Sequence, residues 1–282
     1  MTIDLSVIGK ELPAVEYEFT QRDIMLYALG VGAGADPEDL KFVYEGELEV
    51  LPTFGVVPPF PALFKIMDVE EVDISLAAIL HGEQYMEVKK YPLPVKGKLI
   101  SRPRVANIYD KGKGALMELE VNTEDKKGEL LFYNKFGVFI RGEGGFGGEK
   151  GPEPANEPPQ REPDRVVEMK TLPQQALLYR LSGDYNPIHA NPDFAQMSGF
   201  EKPILHGLCT FGFAGRAVLK EYCNNDPSVF HAIQVRFSRH VYPGESIVTE
   251  MWKESEDKVL IRSKTKERGD YCLTNGAVWL KV

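Results

Sequence analysis

Six glycines and five prolines crowd into residues 142–164, and a stretch of that composition sustains neither a helix nor a buried strand. It reads as a linker. The core must therefore be assembled from residues 1–141 and 165–282, two pieces of similar length. They share an order of elements, and a repeat is visible in Tyr27-Ala28-Leu29-Gly30-Val31 set against Tyr179-Arg180-Leu181-Ser182-Gly183. In the second piece the apolar run LCTFGFAGRAVLKEY is long enough for about four turns of buried helix. After it come AIQVRFSRHVY, SIVTEMWKES, KVLIRSKTKE and YCLTNGAVWLKV, rich in β-branched and aromatic residues and separated by turn signals, which predicts an antiparallel meander. The first piece repeats the theme with QYMEVKKYPL, KLISRPRVANIYD, ALMELEVNTED and LLFYNKFGVFIRG. Each piece is expected to be a helix wrapped by a sheet.

Several classes are disfavoured by composition. With 43% hydrophobic and 27% charged residues, the 282-residue chain is of the folded globular type. A net charge of −9 repels phosphate polymers and anionic membranes, so an anionic ligand needs a local basic patch. Cys209, Cys223 and Cys272 form no CxxC pair and read as packed thiols in a reducing compartment. No apolar run approaches the roughly 18 residues of a membrane span, and MTIDLSVIGKELP does not read as a secretory signal. The ending Trp279-Leu280-Lys281-Val282 is not of the Ser-Lys-Leu type.

The window richest in chemistry is Leu181-Ser182-Gly183-Asp184-Tyr185-Asn186-Pro187-Ile188-His189, followed by Ala190-Asn191-Pro192-Asp193 and later by Leu205-His206-Gly207. An acid, an amide and an imidazole lie close together, and Pro187 stiffens the chain between them. On spacing alone the window fits better a helix-entry turn in which Asp184 and Asn186 cap backbone amides and His189 is an ordinary ring. His189, His206 and Cys209 lack the paired-ligand spacing of a zinc site, so no metal is expected. Cys209 in an apolar helix is a poor nucleophile. The glycines at 144–148 follow no strand-to-helix pattern, which excludes a phosphate loop.

Taken together, Tyr179 to His189, Asn191-Pro192 and His206-Gly207 resemble the signature of the (R)-specific 2-enoyl-CoA hydratases, the hydratase-2 branch of the MaoC-like hot-dog family. The first piece resembles that branch through His81-Gly82-Glu83-Gln84-Tyr85, Tyr109-Asp110-Lys111-Gly112-Lys113-Gly114 and Gly144-Gly145-Phe146-Gly147-Gly148. The likeness covers nearly the whole chain and extends to the hydratase unit of the peroxisomal multifunctional enzyme type 2. Either a free-standing hydratase or one unit of a longer protein is expected.

The resemblance implies an α+β double hot dog, each half wrapping an antiparallel sheet around a long helix, with the two sheets side by side. It implies a degenerate first repeat at 1–141 that binds the acyl tail and coenzyme A, the linker at 142–164, and a second repeat at 165–282 that carries the dyad. In the repeat alignment Gly32 stands opposite Asp184 and Pro37 opposite His189. The expected reaction is reversible hydration of a trans-2-enoyl-CoA to a (3R)-3-hydroxyacyl-CoA in fatty acid β-oxidation. Asp184 and His189 would exchange protons with water, Asn186 would help to hold that water, and the amide of Gly207 would serve the thioester oxyanion. Substrate and coenzyme A contacts are expected at His81, Gly82, Lys111, Tyr185, Pro187, Ile188 and Phe237; Arg216, Arg236 and Arg239 are weaker phosphate candidates and read rather as surface or packing arginines. Further expectations are no cofactor beyond the coenzyme A of the substrate, no nucleic acid, a homodimer, and a peroxisomal or alternatively cytoplasmic location. Alternative functions are a dehydratase acting on acyl-carrier-protein or polyketide thioesters, and a non-catalytic acyl-CoA binder.

Overall fold

One antiparallel sheet of ten strands runs through the structure, a computed structural model that describes residues 3–69, 72, 74 and 78–282. The first half supplies β1 (Val15–Phe19), β2 (Ile79–Val88), β3 (Gly97–Asp110), β4 (Gly114–Asp125) and β5 (Leu130–Arg141). The second supplies β6 (Arg165–Lys170), β7 (Phe230–Phe237), β8 (Ser246–Lys253), β9 (Lys258–Thr265) and β10 (Tyr271–Leu280). Their order is β1-β3-β4-β5-β2-β7-β10-β9-β8-β6, so each strand of the second half mirrors its counterpart in the first. The halves join where β2 pairs with β7, from Glu83 opposite Arg236 to Glu87 opposite Ala232. The double hot dog read from the sequence is this architecture, with its two sheets fused into one.

Eight of these strands coincide with the strand-like segments of the sequence. The edge strands β1 and β6 are not among them, because each is short: β1 alternates as Val15-Glu16-Tyr17-Glu18-Phe19 over only five residues, and β6 is largely exposed over six.

The helices are α1 (Gln21–Gly30), α2 (Leu40–Val43), α3 (Gln175–Tyr179), α4 (Pro192–Met197) and α5 (Gly207–Cys223). Every residue of α5 from Leu208 to Leu219 is buried, as an apolar stretch without a polar face requires. The expectation of a long helix in each half is not met. Among the described residues the first half has 3₁₀ segments at Pro52–Val56 and Phe60–Asp68 in the corresponding place. Pro52, Pro58, Pro59 and Pro61 remove amide donors and block an uninterrupted α-helix there.

Instead, α5 serves both halves. A Cβ at Gly212 would stand 2.4 Å from Cγ1 of Val31, and one at Gly215 would stand 2.5 Å from Cγ2 of Thr53. Both contacts reach into the first half. Arg216, on the same helix, donates to the carbonyl of Val31 at 3.0 Å and pairs with Asp39 at 2.6 Å, both side chains being buried. Of its two readings, Arg216 is therefore the packing arginine, with its guanidinium spent on an internal ion pair and not open to a phosphate. Phe54, Val56, Phe132, Phe211, Ile233 and Val259 belong to one apolar cluster that crosses the boundary between the halves.

No helix or strand lies between β5 and β6, yet this segment is tied to the second half. The carbonyls of Ala155 and Arg161 accept from Asn275 at 3.1 Å and from the Trp252 indole at 2.9 Å. The carboxylate of Asp164 accepts from the amide of Lys253 at 2.8 Å.

The approach of α5 to Val31 makes a directional prediction. In an exposed helix Gly→Ala would stabilise by about 1 kcal/mol through helix propensity. At Gly212 the added methyl overlaps Val31, so Gly212→Ala is expected to lower stability by about 1–3 kcal/mol in urea denaturation. A gain in stability would show that the two halves do not close on this helix.

Candidate active site

The turn after α3 brings the acid and the imidazole together. Gly183, at φ +121°, allows the chain to reverse in a conformation that a side chain would strain. Oδ1 of Asp184 then accepts from the amide of Asn186 at 3.1 Å, and Oδ1 of Asn186 accepts from the amide of Ile188 at 3.1 Å. These bonds shape the single turn Pro187–His189. The capping role and the chemical role left open by the spacing coexist, because Asp184 caps with one oxygen and keeps the other free.

That second oxygen, Oδ2, lies 3.8 Å from Nε2 of His189. Nδ1 of His189 is 2.8 Å from the carbonyl of Ile204. A carbonyl can only accept, so the proton is assigned to Nδ1 and the Nε2 lone pair faces the carboxylate. The gap is too long for a direct hydrogen bond, yet one water can donate to both atoms at once. Burial pushes Asp184 above the carboxyl's ordinary 3.8 and His189 below the imidazole's ordinary 6.5, while the attraction of the pair opposes both shifts.

A small cleft opens beside Asp184. Its walls are Val56, Val57 and Phe60 from the first half, and Tyr179, Ser182, Asp184 and Leu208 from the second. The carboxylate is thus the charged group at the rim of a largely apolar space between the halves.

Gly207 is the first residue of α5, where leading amides lack intrahelical acceptors. A Cβ there would lie 3.1 Å from the ring of Phe237, which packs edge-on against His81 at 4.8 Å. Gly82 is the extra residue of a β-bulge between His81 and Glu83 in the β2–β5 pairing. The structure therefore brings His81, Gly82, Phe237 and Gly207 to one side of the site. Nε2 of His81 is sealed from solvent without a partner, and burial pushes its pKa down to about 4.

Other expected positions lie farther out. Tyr185, Asn186 and Pro187 are exposed and Ile188 is half-buried, forming the rim of the turn. Lys111 is exposed in the β3–β4 turn; its ammonium binds the carbonyl of Lys150 and lies 5.6 Å over the Tyr109 ring. The glycines at 145 and 147 donate to Asp110 at 2.8 Å each, folding the glycine-rich stretch back onto that turn. Arg236 and Arg239 are exposed, away from the acid–imidazole turn in sequence and on the β7 side of the sheet.

Sequence reasoning missed several neighbours of the pair. The guanidinium of Arg180 lies 5.0 Å over the Tyr185 ring, and its charge favours an ionised Asp184 and a neutral His189. Arg180 and Ser182 belong to the quoted motif, so position relative to Asp184 was the available signal. Val56, Val57 and Phe60 carried none, since their approach to the site is purely tertiary.

Asp184, His189 and His206 offer ligand atoms within 4.8 Å of one another. Their orientation does not suit an ion, however. The two imidazoles are stacked 3.6 Å apart with planes inclined by 24°, so their in-plane lone pairs do not converge within the about 2.1 Å reach of a metal–imidazole bond. Cys209 donates to the carbonyl of Gly30 at 3.2 Å, and burial raises its thiol well above the ordinary value.

An antiparallel sheet built twice around a buried helix, with an acid–imidazole turn at an apolar cleft, defines a hot-dog protein of the MaoC-like class. Residues 17–142 match the family described as MFE-2 hydratase 2 N-terminal domain, and residues 154–275 match the MaoC like domain. The chain is similar to a probable enoyl-CoA hydratase 2 of Dictyostelium discoideum, 44% identical over 98% of this chain and 96% of the relative. It is 47% identical to a peroxisomal hydratase-dehydrogenase-epimerase of Neurospora crassa over 96% of this chain, but spans only 31% of that longer protein. The crystal structure of a MaoC-like dehydratase from Phytophthora capsici superposes with a TM-score of 0.88 at 38% identity, covering 99% of both chains. The chain belongs to the MaoC-like family, in its hydratase 2 branch, and is a hydro-lyase.

The coupling within the pair is measurable by NMR titration of the histidine rings. His189 is expected to titrate below 6.5. Asp184→Asn is expected to lower its pKa further, because the carboxylate favours the charged ring. A rise on that substitution would show that the two groups do not interact.

Proposed function

We propose that this chain catalyses the reversible hydration of a trans-2-enoyl-CoA to a (3R)-3-hydroxyacyl-CoA in fatty acid β-oxidation, with Asp184 and His189 acting on one water. The observation that carries this reading is the pair of proton acceptors, Oδ2 of Asp184 and Nε2 of His189, held 3.8 Å apart beside the cleft. Its support from relatives is the name enoyl-CoA hydratase 2.

The chemistry follows from these atoms. A water donating to both acceptors presents a lone pair to C3 of the enoyl group. As the C3–O bond forms, one water O–H bond breaks toward the pair, the π electrons move onto the thioester oxygen, and a proton from the pair is delivered to C2. Water is added with no net oxidation, so the reaction calls for no electron carrier. Raising Asp184 and lowering His189 brings their proton affinities closer together, which suits a proton taken at one step and returned at the next. Oδ1 of Asn186 already accepts from Ile188, and its amide NH₂ supplies the donors that could serve the water. The amide of Gly207, at the start of α5, would meet the enolate-like oxygen, a contribution of about 3 kcal/mol for one such donor.

Coenzyme A would be held along Phe237, His81 and Gly82, with Lys111 attracting its phosphates and Tyr185, Pro187 and Ile188 flanking the entrance. The acyl tail would enter the cleft beneath Val56, Val57 and Phe60. Homodimeric assembly and peroxisomal residence belong to the same reading, the latter supported by the printed name of the Neurospora relative.

The test is loss of the conjugated enoyl-thioester absorbance, with chiral analysis of the alcohol. Asp184→Asn and His189→Gln should each lower turnover by about 10²–10⁴-fold. Unchanged turnover in either would remove the pair from the mechanism, and an S alcohol would overturn the stereochemistry. The pH profile of kcat/KM gives a separate check. Activity needs an ionised Asp184 and a neutral His189, so it should be lost as pH falls, and the loss should set in at a higher pH than an ordinary carboxyl value of 3.8 would give, because burial holds Asp184 above that value.

A further inference from the structure

The ring of His206 is engaged with both members of the acid–imidazole pair. It is buried, and one face stacks on His189 with centroids 3.6 Å apart. Its Nε2–H donates to the main-chain carbonyl of Asp184 at 3.1 Å. The Tyr179 ring packs against it at 4.9 Å. His206 is also the residue that caps α5, but the ring makes no capping bond. Its carbonyl does that work, accepting from the amides of Cys209 at 3.1 Å and Thr210 at 3.2 Å. Helix initiation therefore does not explain why the side chain is an imidazole.

The repeat supplies an internal comparison. The interval that separates Tyr27 from Tyr179 also separates Phe54-Gly55 from His206-Gly207. The packing agrees, since Phe54 meets Tyr27 at 5.6 Å as His206 meets Tyr179. In the first half this position is filled by an apolar ring, and the counterparts of Asp184 and His189 are Gly32 and Pro37. A Cβ at Gly32 would stand 2.6 Å from the ring of Phe213, so that half has no room for the acid. A hydrocarbon plate suffices for packing; the polar ring occurs in the half that holds the pair.

We propose that His206 is a positioning residue for the acid–imidazole pair. Its Nε2–H pins the main chain of Asp184, and its face sets the plane of His189, so that Oδ2 and Nε2 keep the separation one water can bridge. The same residue leads directly into Gly207, which ties the proton-handling atoms and the amide facing the thioester oxygen to one rigid point. The inference rests on the hydration reading above and extends it to a residue that touches neither water nor substrate. The groups that face this ring are Asp184, His189, Tyr179 and the charge of Arg180. Nδ1 is buried without an acceptor, so the ring works as a neutral donor.

The experiment compares wild type, His206→Phe, His206→Gln and His189→Gln as full-length proteins, with crotonyl-CoA and a medium-chain trans-2-enoyl-CoA as probes. Phenylalanine keeps the plate and loses the donor; glutamine restores a donor toward the Asp184 carbonyl. His206→Phe is expected to lower kcat by about 10–100-fold with KM within about two-fold of wild type, the loss typical of a partner that orients a reacting group. His206→Gln is expected to recover at least a few-fold of that kcat. A purely structural role would instead lower the amount of folded protein, read by urea denaturation and near-ultraviolet circular dichroism, without a selective kcat loss per folded molecule. The proposal is overturned if kcat in His206→Phe stays within about two-fold of wild type, or if glutamine does no better than phenylalanine. If the phenylalanine variant does not fold, His206→Leu, which likewise lacks the donor, takes its place: a fall in kcat at near-constant KM that glutamine partly recovers supports the proposal, and an unchanged kcat overturns it. Inactive His189→Gln beside fully active His206 variants would remove this inference alone. A wild type that fails to hydrate either ester would instead remove the reading beneath it.

Discussion

The close approach of α5 to the first half is the contact on which the remaining architecture depends. With no side chain at Gly212 and Gly215, Val31 and Thr53 can press against the helix backbone, and one apolar cluster spans both halves. A buried helix shared in this way leaves the first half without need of its own. Its central segment can then be rich in proline and run as 3₁₀ turns, and Val56 and Phe60 from these turns, with Val57 between them, become walls of the cleft. The buried pair of Arg216 with Asp39 locks the same interface, since separating those charges would leave each without compensation in a low-dielectric interior.

Desolvation organises the site in the same manner. Asp184 and His189 sit where water is largely excluded, which shifts each toward its neutral form. Neighbouring partners prevent either group from simply losing its function: the Ile204 carbonyl fixes the imidazole proton on Nδ1, and the Asn186 amide holds one carboxylate oxygen. The stacked, neutral ring of His206 then removes the rotational freedom that a 3.8 Å gap would otherwise leave.

Much of this was readable in the chain, for physical reasons that differ by element. The eight long strands were legible because alternation over eight or more residues is a local property, whereas β1 and β6 depend on β3 and β8 for their existence. The turn from Gly183 to His189 was legible because its acid, amide and imidazole are sequence neighbours. Arg216 was legible as a packing arginine but its partner was not, because nothing in its own helix announces Asp39, which reaches it from far along the chain. His206 was legible only as part of a motif and as a rejected zinc ligand, since its partner at Asp184 lies across an intervening helix and loop.

Residue order by itself determined the two-fold repeat, the proline-rich divide, the long strands and the half in which an acid and an imidazole could meet, because each is set by periodicity, backbone restriction or adjacency. Only the tertiary structure decided that a single helix would serve both halves, that 3₁₀ turns would wall the cleft, and that His206 would clasp Asp184 and His189 together. Those outcomes arise from contacts between residues far apart in the chain, where the closeness of two surfaces depends on every side chain packed between them.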